Sequence, residues 1–234
     1  MRVLILAGGY GTRISEETTD KPKPMVSIGG NPILWHIMNA FADQGFTDFV
    51  IASGYKAEVI ENWVAKLDSP WSIDVINTGL DTQTGGRILR VFNVLPDEKL
   101  IVTYGDGLAN VNVQKLIDFH KQQGRLATVT AVHPPARFGV LESQNGLVTS
   151  FGEKSQAMSG WINGGYFVLD RAIIDFIDSD VCSFEFTSLP KLVAQSQLSA
   201  FNHEGFWQPM DTLREKNELT KLAVLPNPPW LNAV

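Results

Sequence analysis

The chain has 234 residues, 44% of them hydrophobic and 19% charged, and a formal net charge of -6. This composition suits one substantial buried core and argues against long disordered stretches. The mild acidity excludes the clustered-cation footprint of a nucleic-acid binder, so any Arg or Lys set beside glycines becomes informative about bound phosphate. Cys182, the single cysteine, cannot form an intramolecular disulfide, which fits a reducing compartment, and it reads as a small buried hydrophobe. The apolar run at the N-terminus is too short for a secretory segment, and no stretch approaches membrane-spanning length. The expectation is a soluble cytoplasmic protein with no membrane or nucleic-acid partner.

Residues 3–7 form a continuous apolar run ended by Gly8-Gly9, which predicts a strand buried on both faces. Residues 32–44 place Ile33, Leu34, Ile37 and Phe41 on one helical face, and Gly45 follows as a stop. A second buried strand is expected at 48–53 (DFVIAS), a helix at 58–67, strands at 73–77 and 100–104, and a helix at 87–95 between those two. Strands alternating with helices imply βαβ units and a mostly parallel sheet whose C-terminal strand ends face one crevice. The second half reads differently. Residues 127–132, 140–142, 148–151 and 162–169 are predicted strands, with Asn145-Gly146 as a hairpin signal. Helices are expected at 172–177, 189–195 and 212–223. Residues 1–225 read as a single domain, and 226–234, rich in Pro and Asn, as an irregular tail.

Gly8-Gly9-Tyr10-Gly11-Thr12-Arg13 follows the first strand, where doubly wound folds bind phosphates. A dinucleotide fingerprint would need a third glycine where Ile14 stands, and no P-loop string occurs. What remains is a loop whose backbone N–H groups can wrap phosphate oxygens, because glycine tolerates positive φ and close approach. Arg13 adds a cation at its end; a plain βα turn with a surface arginine is the alternative. Lys21-Pro22-Lys23-Pro24-Met25 puts two lysines in a Pro-stiffened segment expected to be extended. A solvated basic turn is the alternative there.

The string LAGGYGTRI followed by KPKPM resembles the signature of the sugar-phosphate nucleotidylyltransferases. ISEETTDKPKPMVSIGGNPILWHIM, TGLDTQTGGR, YGDGLANV, WINGGYFVLD and GFWQPMDTLREKNEL are similar to the branch that acts with CTP on glucose-1-phosphate, and the resemblance runs to about residue 223. Residues 55–77 are a shorter stretch than the matching one in that branch. The resemblance implies an α/β fold, a Rossmann-like three-layer sandwich with a mixed, mostly parallel central sheet and a small antiparallel sugar-binding lid. It also implies transfer of CMP from CTP to a sugar-1-phosphate, with Mg2+ as cofactor, in a homo-oligomer.

Residue by residue, the resemblance assigns catalysis to Arg13, on the β- and γ-phosphates, and to Lys23, on the α-phosphate and the incoming sugar phosphate. Nucleotide binding falls to Leu6, Ala7, Gly8, Gly9, Gly11, Thr12, Thr82, Thr84, Gly86, Arg87 and Gly105. The sugar phosphate falls to Gly139, Glu153, Lys154 and Asn163, and the metal to Asp106 and Asp211. Plainer alternatives stand beside several of these. Asp106 could be a turn residue, Asp211 a helix N-cap, Arg87 an ordinary first-turn residue, and Glu153–Lys154 an exposed ion pair. A sugar-1-phosphate is largely a dianion at neutral pH and attacks without a general base, so no catalytic histidine is needed. His36, His120, His133 and His203 read as structural or surface residues, and Trp63, Trp71 and Trp161 as packing anchors. Alternatives at the level of function are the same chemistry with another NTP or sugar, and a nucleotide-sugar sensor without turnover.

Overall fold

The computed structural model describes residues 1–134, 140–152 and 160–234. The opening apolar run is β1 (Val3–Leu6), buried throughout. A loop and the single-turn α1 (Ser15–Thr18) lead to a small antiparallel ribbon, β2 (Ser27–Ile28) and β3 (Asn31–Pro32). Then come α2 (Ile33–Ala42), β4 (Asp48–Ser53), α3 (Ala57–Val64), β5 (Ser72–Asn77), α4 (Thr84–Val94) and β6 (Lys99–Tyr104). The second half holds β7 (Gly107–Ala109), α5 (Val113–Gln123), β8 (Ala127–Val132), β9 (Val140–Gln144), β10 (Leu147–Gly152) and β11 (Ile162–Asp170). It closes with α6 (Leu189–Ala194), β12 (Leu198–His203), β13 (Trp207–Pro209) and α7 (Leu213–Ala223).

Seven strands form the central sheet in the order β12-β8-β11-β6-β1-β4-β5. Only β11 runs against its neighbours β6 and β8; the other pairings are parallel. Successive side chains of a strand point to opposite faces, and the core divides accordingly. Val3, Ile5, Phe49, Ile51 and Ile101 pack with Ile33, Ile37 and Phe41 of α2, Ile60 of α3, Leu116 of α5 and Leu219 of α7. Leu4, Val50, Ala52, Leu100 and Val102 face the other way, onto Ile88, Val91 and Phe92 of α4 and Leu192 of α6. Helices on both sides of a mixed, mostly parallel sheet make the three-layer α/β sandwich the sequence predicted. β9 and β10 form a separate antiparallel pair, with positive φ at both Asn145 (51°) and Gly146 (80°) in the connecting turn, as an Asn-Gly hairpin requires.

Several elements differ from expectation. Residues 172–176 of the expected helix 172–177 belong to a 3-10 helix, Arg171–Phe176, with Ile177 just past its end, and α6 is preceded by a π turn, Phe184–Ser188. Helix α5 was not anticipated, although both its ends are marked: Asn112 Oδ1 accepts from Lys115 N, and Gly124 closes the helix at φ 59°. Strand β12 was also not anticipated; its half-exposed residues carry no clear alternation. Trp161, expected as an anchor, is 41% exposed and stacks on His133 with ring centroids 3.9 Å apart. Cys182 is buried as expected. In the stretch 226–234, Trp230 is buried, edge-on to His36 and beside Phe206. No helix among the described residues is long and apolar enough to cross a membrane.

Candidate active site

From β1 the chain lays down β4 and β5 on one side and then returns to place β6 on the other. Such a reversal opens a crevice beyond the C-terminal strand ends. A cleft of about 1050 Å³ lies there. Its walls are the glycine loop after β1, the start of α4, the Gly105–Gly107 turn after β6, the first half of β11, Glu185 and Phe186, and Trp207.

Leu6, Ala7, Gly8, Gly9, Gly11 and Thr12 all line this cleft. Within the loop only Gly11 has positive φ (67°). Gly8 is required for another reason: a Cβ there would sit 2.1 Å from Arg87 Nη1. Arg87 is buried on α4 and donates from Nη1 to Ser53 O (3.0 Å), Thr78 Oγ1 (2.6 Å) and Gly79 O (2.8 Å). Its Nη2 donates to Gly8 O (2.9 Å) and Leu80 O (3.4 Å). Burial, followed by the nearby Arg90 charge, lowers its pKa from the ordinary arginine range. One guanidinium therefore ties the end of β4 to the loops that follow β1 and β5.

The other predicted nucleotide residues divide. Thr82, Thr84, Arg87 and Gly105 line the cleft; Gly86 does not, since the backbone of Asp180 lies against it, within 2.2 Å of where a Cβ would stand. That close contact requires glycine in the first turn of α4, which begins at Thr84, before the Arg87 start read from the sequence. Gly105 N donates to Leu6 O at 3.0 Å, so the turn after β6 hugs the end of β1.

The charged residues meet at one point. Pro22 is extended, but Lys23–Met25 wind into a 3-10 turn closed by Met25 N to Pro22 O (2.8 Å) and Val26 N to Lys23 O (3.0 Å). This corrects the expected extended segment: Pro24 falls where no N–H is needed, and its fixed φ suits the turn. Lys23, buried, places Nζ 2.6 Å from Asp106 Oδ2 and 2.6 Å from Asp211 Oδ1. Arg13 is mostly exposed and donates from Nη1 to Asp211 Oδ2 at 2.5 Å. The pairing of β13 with β7 and the bond from Met210 N to Asp106 O (2.8 Å) bring the two aspartates together.

Asp211 does not cap α7. Thr212 does, accepting from Glu215 N at 3.3 Å, while the Glu215 carboxylate accepts from Asp211 N (2.7 Å) and Thr212 N (2.9 Å). This capping box holds the Asp211 backbone and directs its carboxylate to the cations. Asp106 does occupy a turn, and its carboxylate still faces Lys23. Two carboxylates already converging on one cation suit a Mg2+ site, which takes one or two carboxylates with substrate phosphates and waters. Among the described residues no group of three His, Cys, Asp or Glu side chains forms a metal site unaided.

The opposite wall contains residues that sequence reasoning missed. Tyr104 OH donates to Glu185 Oε1 at 2.5 Å, and Glu185 Oε2 accepts from Thr84 Oγ1 (2.6 Å) and Ser183 Oγ (2.9 Å). Asn163 joins them through Nδ2 to Tyr104 OH (3.2 Å), with its Oδ1 accepting from Gly165 N (2.8 Å). Burial, then the Glu185 charge, pushes the Tyr104 phenol well above its ordinary range, so it stays a donor. Phe186 stands 88% exposed at the rim. The available signal was CSFEFTS, an acid between two aromatics, which is weak without the fold. Trp207 closes this side, donating from Nε1 to Gly164 O at 2.7 Å. Gly139, Glu153 and Lys154 lie outside the described residues.

Residues 2–213 match the nucleotidyl transferase family model. The chain is 46% identical over 253 residues to the glucose-1-phosphate cytidylyltransferase of Salmonella typhi, covering 98% of each. It is 34% identical over 228 residues to the mannose-1-phosphate guanyltransferase of Saccharomyces cerevisiae, covering 91% of this chain and 63% of that one. Among solved structures it is similar to HddC from Yersinia pseudotuberculosis complexed with GMP-PN, with TM-score 0.75 and 28% identity over 94% of this chain and 98% of the other. A glycine-walled cleft at the switch point of the sheet, with two cations and two carboxylates at its mouth, thus sits in a chain matched almost from end to end: it belongs to the nucleotidyl transferase family and is a nucleotidyltransferase.

Proposed function

We propose that this chain transfers CMP from CTP to α-D-glucose-1-phosphate in the cytoplasm, giving CDP-glucose and pyrophosphate. The observation that carries the reading is the quartet of Arg13, Lys23, Asp106 and Asp211 at the mouth of the cleft. Its likeness to the Salmonella typhi cytidylyltransferase supports the choice of base and sugar.

In this reading an oxygen of the sugar phosphate attacks the α-phosphorus in line, the new P–O bond forming as the bond to the β-phosphate breaks. Such transfers rest on positioning and charge neutralisation rather than on covalent chemistry by the protein. Arg13 grips the departing β- and γ-phosphates, and Lys23 spans the α-phosphate and the sugar phosphate. Asp106 and Asp211 hold Mg2+, which when bound neutralises charge on the triphosphate. Leu6, Ala7, Gly8, Gly9, Gly11, Thr12, Thr82, Thr84, Arg87 and Gly105 form the nucleotide wall, Arg87 also tying its loops together, and Gly86 serves it by setting the start of α4. Asn163 meets the hexose, with Gly139, Glu153 and Lys154. The reading includes a homo-oligomer, and light scattering that returns the mass of one chain overturns that part.

The deciding experiment is pyrophosphate release over a grid of four NTPs and several sugar-1-phosphates with Mg2+. A maximum at CTP with glucose-1-phosphate is expected, and release in no combination overturns the proposal. Lys23→Ala should lower kcat by about 10²–10³-fold while the fold persists; unchanged turnover would remove Lys23 from the chemistry.

A further inference from the structure

We propose that Lys23 is the resident substitute for the metal ion: in the ligand-free protein its ammonium holds the cation position between Asp106 and Asp211, and a divalent cation enters only as the lysine leaves for nucleotide phosphate. This rests on the reading of Asp106 and Asp211 as metal ligands.

The geometry points to exchange rather than coexistence. Lys23 Nζ is 2.6 Å from one oxygen of each carboxylate, and the second oxygen of Asp211 is occupied by Arg13. The quartet of two cations and two anions is therefore balanced in charge by its own side chains. An ammonium is a compact point charge with three donors, and it fills the same role toward two carboxylates that a divalent ion would. A divalent ion added beside it would meet a like charge at contact distance, where repulsion in a partly buried site is strong. Metal alone therefore binds poorly.

The lysine also has somewhere to go. Its Cβ lies beneath the glycine loop, 3.0 Å from where a Cβ on Gly11 would stand. The backbone is held by the 3-10 turn, so only the flexible stem needs to swing. The same stem lies between the carboxylates that its Nζ meets and the glycine loop that would hold phosphate oxygens. A triphosphate supplies new anionic partners for Lys23 and Arg13 together. It thereby releases both aspartates, so nucleotide and metal favour each other's binding, as coupled sites must.

The test uses Mn2+ as probe, with free ion followed by electron paramagnetic resonance in nucleotide-free full-length protein. Lys23→Met should bind Mn2+ more tightly than wild type, by roughly 5–150-fold if the coupling is of usual size. Adding Asp106→Asn to that variant should abolish the gain. In metal-free buffer Lys23→Met should melt below wild type, and Mn2+ should raise its Tm more than that of wild type. If Lys23→Met does not fold, Lys23→Gln is put through the same measurements. Mn2+ binding no tighter than wild type in the folded variant overturns the exchange. Pyrophosphate release by the wild type is scored separately: activity without the Mn2+ gain sinks the exchange alone, and the gain without activity sinks the proposed function alone.

Discussion

Arg87 is a charged side chain placed where charge is costly, and it persists because its terminal nitrogens meet backbone carbonyls from the end of β4 and from the loops after β1 and β5. Arg87→Met would leave the carbonyls of Gly8, Ser53 and Gly79 without this donor, and we expect a loss of about 3 kcal/mol in denaturant unfolding. Gly8→Ala should be destabilising as well, since its methyl meets the same guanidinium. A loss below about 1 kcal/mol for Arg87→Met would show that water replaces the guanidinium. His36 makes a second prediction at this scale. Burial holds its pKa below the ordinary 6.5, only partly offset by the bond to Ile28 O (2.9 Å), and His203 is lowered for the same reason. Below about pH 6.5 the unfolded chain binds protons that these folded histidines do not. Stability should therefore fall as pH drops from 7 toward 5, and His36→Gln should flatten that slope in thermal melts. An unchanged slope would assign the dependence to other groups.

At the scale of elements, the start of α7 does two jobs. Thr212 and Glu215 cap the helix, and the capping also holds the backbone of Asp211, one residue outside it. Thr212→Ala should cost about 1 kcal/mol and also lower kcat/KM several-fold, whereas Thr212→Ser should restore both. Loss of stability with full activity would separate the cap from the site. The Thr-x-x-Glu pattern is present in the sequence, yet Asp211 also reads as an alternative cap because the two neighbours compete for one role. Only the hydrogen bonds decide between them. Helix α5 shows the converse, for Asn112 and Gly124 are ordinary end signals in a segment that packs on β8, the strand that follows it, and on β11 and β12 farther along the chain.

Across the whole molecule, the stretch after Leu225 braces the site from behind. Trp230 fills the space between His36 and Phe206, Asn110 Nδ2 donates to Asn232 O (2.8 Å), and Val234 N donates to Asn110 O (3.1 Å). Asn110 directly follows β7, which with β13 sets Asp106 beside Asp211. Trp230→Ala should cost about 3–5 kcal/mol in denaturant unfolding, and ending the chain at Leu225 should weaken activity as well as stability. A shortened chain with wild-type melting would mean that the brace is dispensable.

Local pattern alone determined a good deal of this protein. Continuous apolar runs marked β1, β4 and β6, helical periodicity marked α2, and Asn145-Gly146 marked the hairpin, because burial and turn geometry act over a few residues. The glycine loop and the charged residues could be picked out by resemblance. Tertiary structure alone decided what those residues face. Lys23 finds Asp106 and Asp211 across 83 and 188 positions of chain, and Tyr104 finds Glu185 across 81. Arg87 likewise grips carbonyls from the end of β4 and from two loops. No periodicity encodes such partners: they follow from the strand order β6-β1-β4 and the pairing of β13 with β7, which exist only once the sheet has formed.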